Sequence, residues 1–259
     1  MRSTRGGGNR LSSCIKAFTL AEGTTCVGTL EDNRFSAFTL AEVLVTLGII
    51  GVVSAMTVPS LMQNYQRQSY VTQLHKIYNE LNQALIQYQT DSNAVSLREA
   101  GLTSNNAYGT FLKKHFKVVQ DCGTTQTPCF SASYKKLSGV NSTLSCRNNC
   151  MVIASGASIG VSMGSNNIVQ FVVDINGQKG PNIYGRDAFS LYLYPNGVID
   201  DLTLADIEDE SSFKWGNATA PLTNEQREQN YKRACIGSNS SEWHGCFGKI
   251  LNDNWQMTY

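Results

Sequence analysis

Residues 37–59 read AFTLAEVLVTLGIIGVVSAMTVP, and how this stretch is read decides the fold. From Phe38 to Val58 there are 21 residues without a Lys, Arg, His or Asp. As helix, at about 1.5 Å per residue, they reach roughly 30 Å, one hydrocarbon core. The segment can therefore span a bilayer, yet it carries one carboxylate, Glu42, near its start. A charge inside such a helix costs on the order of 2.5–3.5 kcal/mol. Either local contacts with Thr39 or Thr46 soften that cost, or a cation meets Glu42 at the same depth. Pro59 removes a backbone donor and crowds the carbonyl of Ala55, so a kink or local melting is expected there.

Beyond Pro59 the helix is expected to resume. Val71, Leu74, Tyr78, Leu81, Leu85 and Tyr88 recur at spacings of three and four, while Gln63, Arg67, Gln73, Lys76, Asn79, Gln83 and Gln87 fill the other faces. Such a helix cannot be buried all round, so it should lay its stripe on a sheet. A coiled-coil dimer is disfavoured by the short, Gln-rich pattern.

Upstream, residues 1–36 are rich in Gly, Ser, Thr and Arg and lack apolar periodicity, as expected of a processed, unfolded leader. AFTLAE occurs there once already, at Ala17–Glu22, but Gly23 and Thr24 follow it instead of an apolar run. The second copy is thus the one with a membrane to enter. Residues 1–37 hold five basic and three acidic side chains, and removing them leaves 16 basic and 17 acidic residues against 21 and 20 in the whole chain. The basic leader keeps that end in the cytoplasm while the rest is translocated. A near-neutral remainder carries no bulk electrostatic footprint for nucleic acid.

Ala37 followed by Phe38-Thr39-Leu40-Ala41-Glu42, then an apolar run ending at Pro59, resembles the prepilin cleavage and methylation motif of type IV pilins and type II secretion pseudopilins. The resemblance implies a cut by the prepilin peptidase between Ala37 and Phe38 and N-methylation of Phe38. It also implies an assembly role for Glu42, whose carboxylate meets the N-terminus of a neighbouring subunit, and a match of Pro59 to the family's helix proline. Ala37 stands where Gly is usual, a departure that bears on the rate of processing. The partners implied are other subunits of a filament, the peptidase and the bacterial inner membrane. The implied location is a single-pass protein with its C-terminal domain outside the cytoplasm, then a periplasmic or extracellular filament.

Six cysteines, Cys122, Cys129, Cys146, Cys150, Cys235 and Cys246, remain after the leader, which itself contains Cys14 and Cys26. An even number in an exported domain points to disulfides, with fifteen connectivities open. Loop-closing economy favours the local pairs 122–129, 146–150 and 235–246. A zinc reading of Cys146–Cys150 lacks a second ligand pair.

Ser96–Gly101 and Ala107–Val119 each read as a short helix, the second packing Phe111, Leu112, Phe116 and Val119. His115, among Lys113, Lys114 and Lys117, reads as part of a solvated basic face. From Met151 the period turns strand-like, in MVIAS, ASIGVSM, IVQFVVDI and AFSLYLY, and suggests an antiparallel meander. Asp200, Asp201, Asp206, Glu208, Asp209 and Glu210 read as a solvated acidic loop. Lys249–Tyr259 reads as a last strand.

The loop Asp174–Asp187 offers Asp174, Asn176, Asn182 and Asp187 as oxygen ligands, and hard cations take six to eight oxygens. Because some pseudopilins bind calcium in a C-terminal loop, the resemblance makes calcium the candidate cofactor. A Gly-rich structural loop, with Lys179 and Arg186 neutralising the acids, is the alternative. Gly156–Gly160 spells GxSxG, but that motif needs a strand before Ser158 and a helix after it. No GK[ST] phosphate loop is present. Lys113, Lys114, Lys117, Lys135 and Lys136 are candidates for a surface- or DNA-binding patch.

The expected fold is α+β: a long N-terminal helix from Phe38 to about Thr90, first transmembrane and then amphipathic, packed on a C-terminal antiparallel sheet. Residues 1–37 form the leader, 38–59 the membrane and assembly segment, and 60–259 the exported domain. The expected function is structural, a pilin or pseudopilin subunit without enzymatic activity or a small-molecule substrate. The alternatives are a minor pilin acting as an adhesion or DNA-binding module, a signal-anchored protein that never polymerises, and a membrane-anchored hydrolase using Ser158.

Overall fold

The computed structural model describes residues 39–204, 216 and 219–259. Ala37, Phe38, the leader, and the acidic positions Asp206, Glu208, Asp209 and Glu210 lie outside the described residues. The chain divides into two compact units, residues 1–52 and 53–259.

Helix α1, Leu40–Asp91, occupies the span that apolar content and helical period indicated. It continues through Pro59 without a break, so local melting there does not occur. By length and composition it can cross a membrane, and none of its most apolar window is buried within the chain. Hydroxyls in this part turn back onto their own helix. Thr46 donates to the Val43 carbonyl, Thr57 to that of Val53 and Ser60 to that of Thr57. These three hydroxyls therefore do not need a partner in hydrocarbon.

Within residues 53–259, α1 buries Val71, Leu74, Ile77, Leu81, Ala84 and Leu85. Ile77 and Ala84 complete a stripe of which spacing alone marked one edge. Tyr78 and Tyr88 sit at its margins, packed against Phe247 and Phe111 at ring separations of 5.9 and 5.4 Å. Helix α2, Asn105–His115, is capped by the Ser104 side chain and brings Tyr108, Phe111 and Leu112 into the same core.

The strands are β1 Val118–Gly123, β2 Tyr134–Lys136, β3 Asn141–Ser142, β4 Cys150–Ile153, β5 Ser158–Met163, β6 Val169–Asp174, β7 Ile183–Tyr184, β8 Ala188–Leu193 and β9 Ile199–Asp200. Their order is β1-β4-β5-β6-β8-β7-β2-β3, with β9 also on β8. The meander β4-β5-β6-β8 is antiparallel as read, but β7 runs parallel to both β8 and β2, so the sheet is mixed and not antiparallel throughout. The cause is the loop 175–182, which brings the short β7 back beside the start of β8. In-facing Ile159, Val161, Phe171, Val173, Phe189 and Leu191 join the core, and Tyr108 meets Phe171 edge-on at 6.3 Å.

Helices α3, Asn224–Asn230, and α4, Cys246–Asn252, close the domain. Lys249–Tyr259 is therefore not a strand. The reason lies 44 residues upstream: the Asp201 carboxylate accepts from the backbone N–H of Gly245 at 2.9 Å and of Gly248 at 3.2 Å, capping a helix whose own cap position, Gly245, has no side chain. Asp200 and Asp201 are accordingly buried, not part of a solvated loop. Asp200 takes the Arg227 guanidinium in a two-pronged pair at 2.9 and 2.7 Å. Burial pushes Asp201 up to about 7, against the three backbone donors that favour its charged form.

Three further expectations are corrected. Ser96–Gly101 is a hydrogen-bonded turn, not a helix; the Ser96 side chain caps Glu99 and Gly101 closes it at φ 99°, leaving no room for a second turn. Val119 faces outward on β1 at 68% exposure. His115 does not lie on a solvated face; its ring packs at 5.0 Å from Phe111, and desolvation, followed by Lys114, holds its pKa down.

The burial contrast along α1 yields a prediction. Leu81→Ala should destabilise residues 53–259 by about 2–5 kcal/mol, the range for a fully buried Leu. Ile86→Ala, five residues on but 67% exposed, should cost no more than about 0.5 kcal/mol. Urea unfolding of both variants checks this.

Candidate functional site

Two places carry the candidate functional residues. The first is the start of α1. Thr39 precedes the helix, and Glu42 lies in its first turn. The Thr39 N–H and hydroxyl both donate to Glu42 Oε2 at 2.9 Å, and the Glu42 N–H donates to the Thr39 hydroxyl at 3.2 Å. This is a reciprocal capping box, in which Thr and the acid three residues later satisfy two helix-end donors. Local contact with Thr39 was one of the two readings of Glu42. Thr46 is not involved, since it bonds the Val43 carbonyl. The box engages Oε2 only, and among the described residues no cation pairs with Glu42. In this arrangement the carboxylate has a fixed direction and an oxygen to spare.

The second place is the loop between β6 and β8, where Asp174, Asn176, Asn182 and Asp187 do come together. Asp174 and Asp187 are both fully buried. The Tyr134 hydroxyl donates to Asp174 Oδ2 at 2.6 Å, and the Asn176 N–H to its Oδ1 at 3.2 Å. Asp187 accepts from the N–H groups of Asn182 and Ile183, both at 2.7 Å. Burial first, with the Asp187 charge adding to it, pushes Asp174 up to about 7; burial also raises Asp187. Two like charges share an apolar surrounding, and neither Lys179 nor Arg186 forms an ion pair with them among the described residues. The side-chain oxygens of Asn176 and Asn182 are buried with no donor. Each of the four carboxylate oxygens thus has a donor, whereas the two amide oxygens have none. Among the described residues no group of three or more His, Cys, Asp or Glu side chains gathers as a metal site, so any ion here would lean on amide and backbone oxygens.

Disulfides join Cys122 to Cys129, Cys146 to Cys150 and Cys235 to Cys246, the sequence-local set. Cys146 and Cys150 are thereby spent as a disulfide and are not zinc ligands. The hydrolase reading loses its nucleophile. Ser158 is fully buried at the first position of β5 and donates to the Cys129 carbonyl, and a strand, not a helix, follows it. Of the candidate basic patch, Lys114, Lys117 and Lys135 are exposed, and Lys136 is not. Lys136 is 1% exposed, bonds the Asn239 carbonyl at 2.7 Å and is lowered to about 8 by burial, while Lys113 pairs with Asp121 at 2.6 Å.

The buried pair Arg233–Glu242, at 3.1 Å, and the Asp201 cap of α4 escaped sequence reading. Nothing in the spacing of these residues signals contacts that bridge such separations.

Residues 32–58 match the family model described as the prokaryotic N-terminal methylation motif. The type II secretion system core protein G of Aeromonas hydrophila is 34% identical over 73 residues, which cover 28% of this chain and 50% of that protein. The chain thus spans about half the length of this relative. No solved structure gives a significant match.

Proposed function

We propose that this chain, whose methylation motif, likeness to a type II secretion core protein and helix-then-sheet fold support a type IV pilin or pseudopilin, is a structural subunit of a pilus or secretion pseudopilus. Prepilin peptidase cuts between Ala37 and Phe38, the apolar half of α1 holds the subunit in the inner membrane, and the subunit then polymerises through that helix. Pro59 ends the apolar run that enters the filament. The observation that carries the proposal is the contrast within α1 between an exposed apolar run and a buried amphipathic stripe. An apolar surface of this size is rarely left in water and marks a face that lipid or another chain covers.

Glu42 supplies register. The capping box aims its carboxylate and leaves Oε1 for the Phe38 ammonium of a neighbour. A subunit seated at the wrong height would leave that charge unpaired in an apolar medium, at a cost of several kcal/mol. Glu42→Val should be processed normally and accumulate in the membrane yet fail to enter filaments. Wild-type incorporation of this variant, scored by shearing and immunoblot, would sink the pairing.

The β6–β8 loop is proposed to hold calcium through Asp174, Asn176, Asn182 and Asp187. The support is the pair of donorless amide oxygens beside two buried carboxylates. Bound there, the ion would neutralise the acids and stiffen the loop. An ion at about a hundred times its dissociation constant adds about 2.7 kcal/mol to stability. Calcium should therefore raise the thermal midpoint above that in chelator, and Asp187→Asn should abolish the difference. Identical midpoints for the wild-type protein in calcium and chelator would remove the ion from the account.

A further inference from the structure

The sheet face turned away from Phe171 is polar. By register, Ser162 of β5, Gln170 of β6 and Tyr192 of β8 lie side by side across three strands. A cavity of about 270 Å³ opens on this row. Val161 and Val172 supply apolar surface, Trp243 forms one wall, and the Arg147–Asn148 segment, held by the Cys146–Cys150 disulfide, forms another.

The hydrogen bonds in the cavity are unevenly used. Gln170 Nε2 donates to Ser190 at 3.0 Å and to the Tyr192 hydroxyl at 3.4 Å, and Asn148 Nδ2 donates to Ser162 at 3.3 Å. The carbonyl oxygens of both amides accept nothing from the described residues. Arg147 is the one charged side chain of the lining, and no Asp or Glu faces it there. Its guanidinium lies 5.8 Å from the Trp243 ring centre and makes one long bond, 3.4 Å, to Ser145. No carboxylate pairs with it among the described residues.

We infer that this cavity binds a uronic-acid unit, a sugar ring bearing a carboxylate. A planar guanidinium without a counter-ion is suited to two-pronged capture of a carboxylate. Amide and hydroxyl side chains that both donate and accept match ring hydroxyls, which do the same. Trp243 and the valines offer apolar surface to the C–H face of the ring. The volume lies just below the roughly 300–1,000 Å³ of sites for drug-sized ligands, which suits a single ring. The inference stands on the sheet's polar face and is independent of cleavage, membrane insertion or polymerisation.

Saturation-transfer NMR on the full chain, in a detergent without a sugar headgroup, tests it with glucuronate, glucose and acetate. Glucuronate ring protons should receive saturation, with glucose and acetate each binding at least about tenfold more weakly. Arg147→Gln, at an exposed position, should weaken glucuronate about tenfold while leaving thermal unfolding unchanged. The inference is overturned if glucuronate shows no transfer at roughly 10 mM. It is equally overturned if glucose binds as well, which removes the carboxylate, if acetate binds as well, which removes the ring, or if Arg147→Gln has no effect.

Discussion

An apolar helix surface that none of the described residues covers is the constraint on which the rest of the structure depends. Leu40, Leu44, Leu47, Ile50, Met56 and Leu61 are each 60–78% exposed. At roughly 25 cal/mol per Å² of apolar surface, leaving such a run in water is costly, and covering it with lipid or another chain recovers that energy. Glu42 is the exception within this run, and the capping box explains how it is tolerated there: the acid satisfies helix-end donors through one of its two oxygens.

The rest of the chain has to remain folded while tethered to such a segment. It does so with one core shared by α1, α2, α4 and the sheet, and with loops tied by short-range disulfides. Buried charge is handled in two ways. Asp200–Arg227 and Arg233–Glu242 are paired and bonded, and losing one partner of such a pair is strongly destabilising. Asp201 is instead surrounded by backbone donors and spends its charge on capping α4. Asp174 and Asp187 likewise have backbone donors, joined at Asp174 by the Tyr134 hydroxyl, and no ion-pair partner among the described residues.

What sequence made legible and what it did not divide along the range of the interactions. The extent of α1, the four long strands from Cys150 to Leu193 and the three disulfides rest on neighbours a few residues apart, and period or spacing reveals them. The mistaken elements depend on distant partners. Asp200 and Asp201 read as solvated because Arg227 and Gly245 lie 27 and 44 residues away. The final segment read as strand because its helix cap comes from elsewhere in the chain. Lys136 read as a surface cation because the Asn239 carbonyl that receives it is 103 residues on. Of the candidate site, the motif around Glu42 was readable as a local pattern, and so were the four oxygen donors of the β6–β8 loop. The polar row Ser162–Gln170–Tyr192 was not, since it exists only once three strands are in register.

The central claim is that α1 becomes an assembly helix when the chain is cut ahead of Phe38. N-terminal mass analysis of the protein isolated from membranes tests it most directly. The account predicts a chain that begins at Phe38 and carries an N-methyl group. A chain that still retains residues before Phe38 would contradict it.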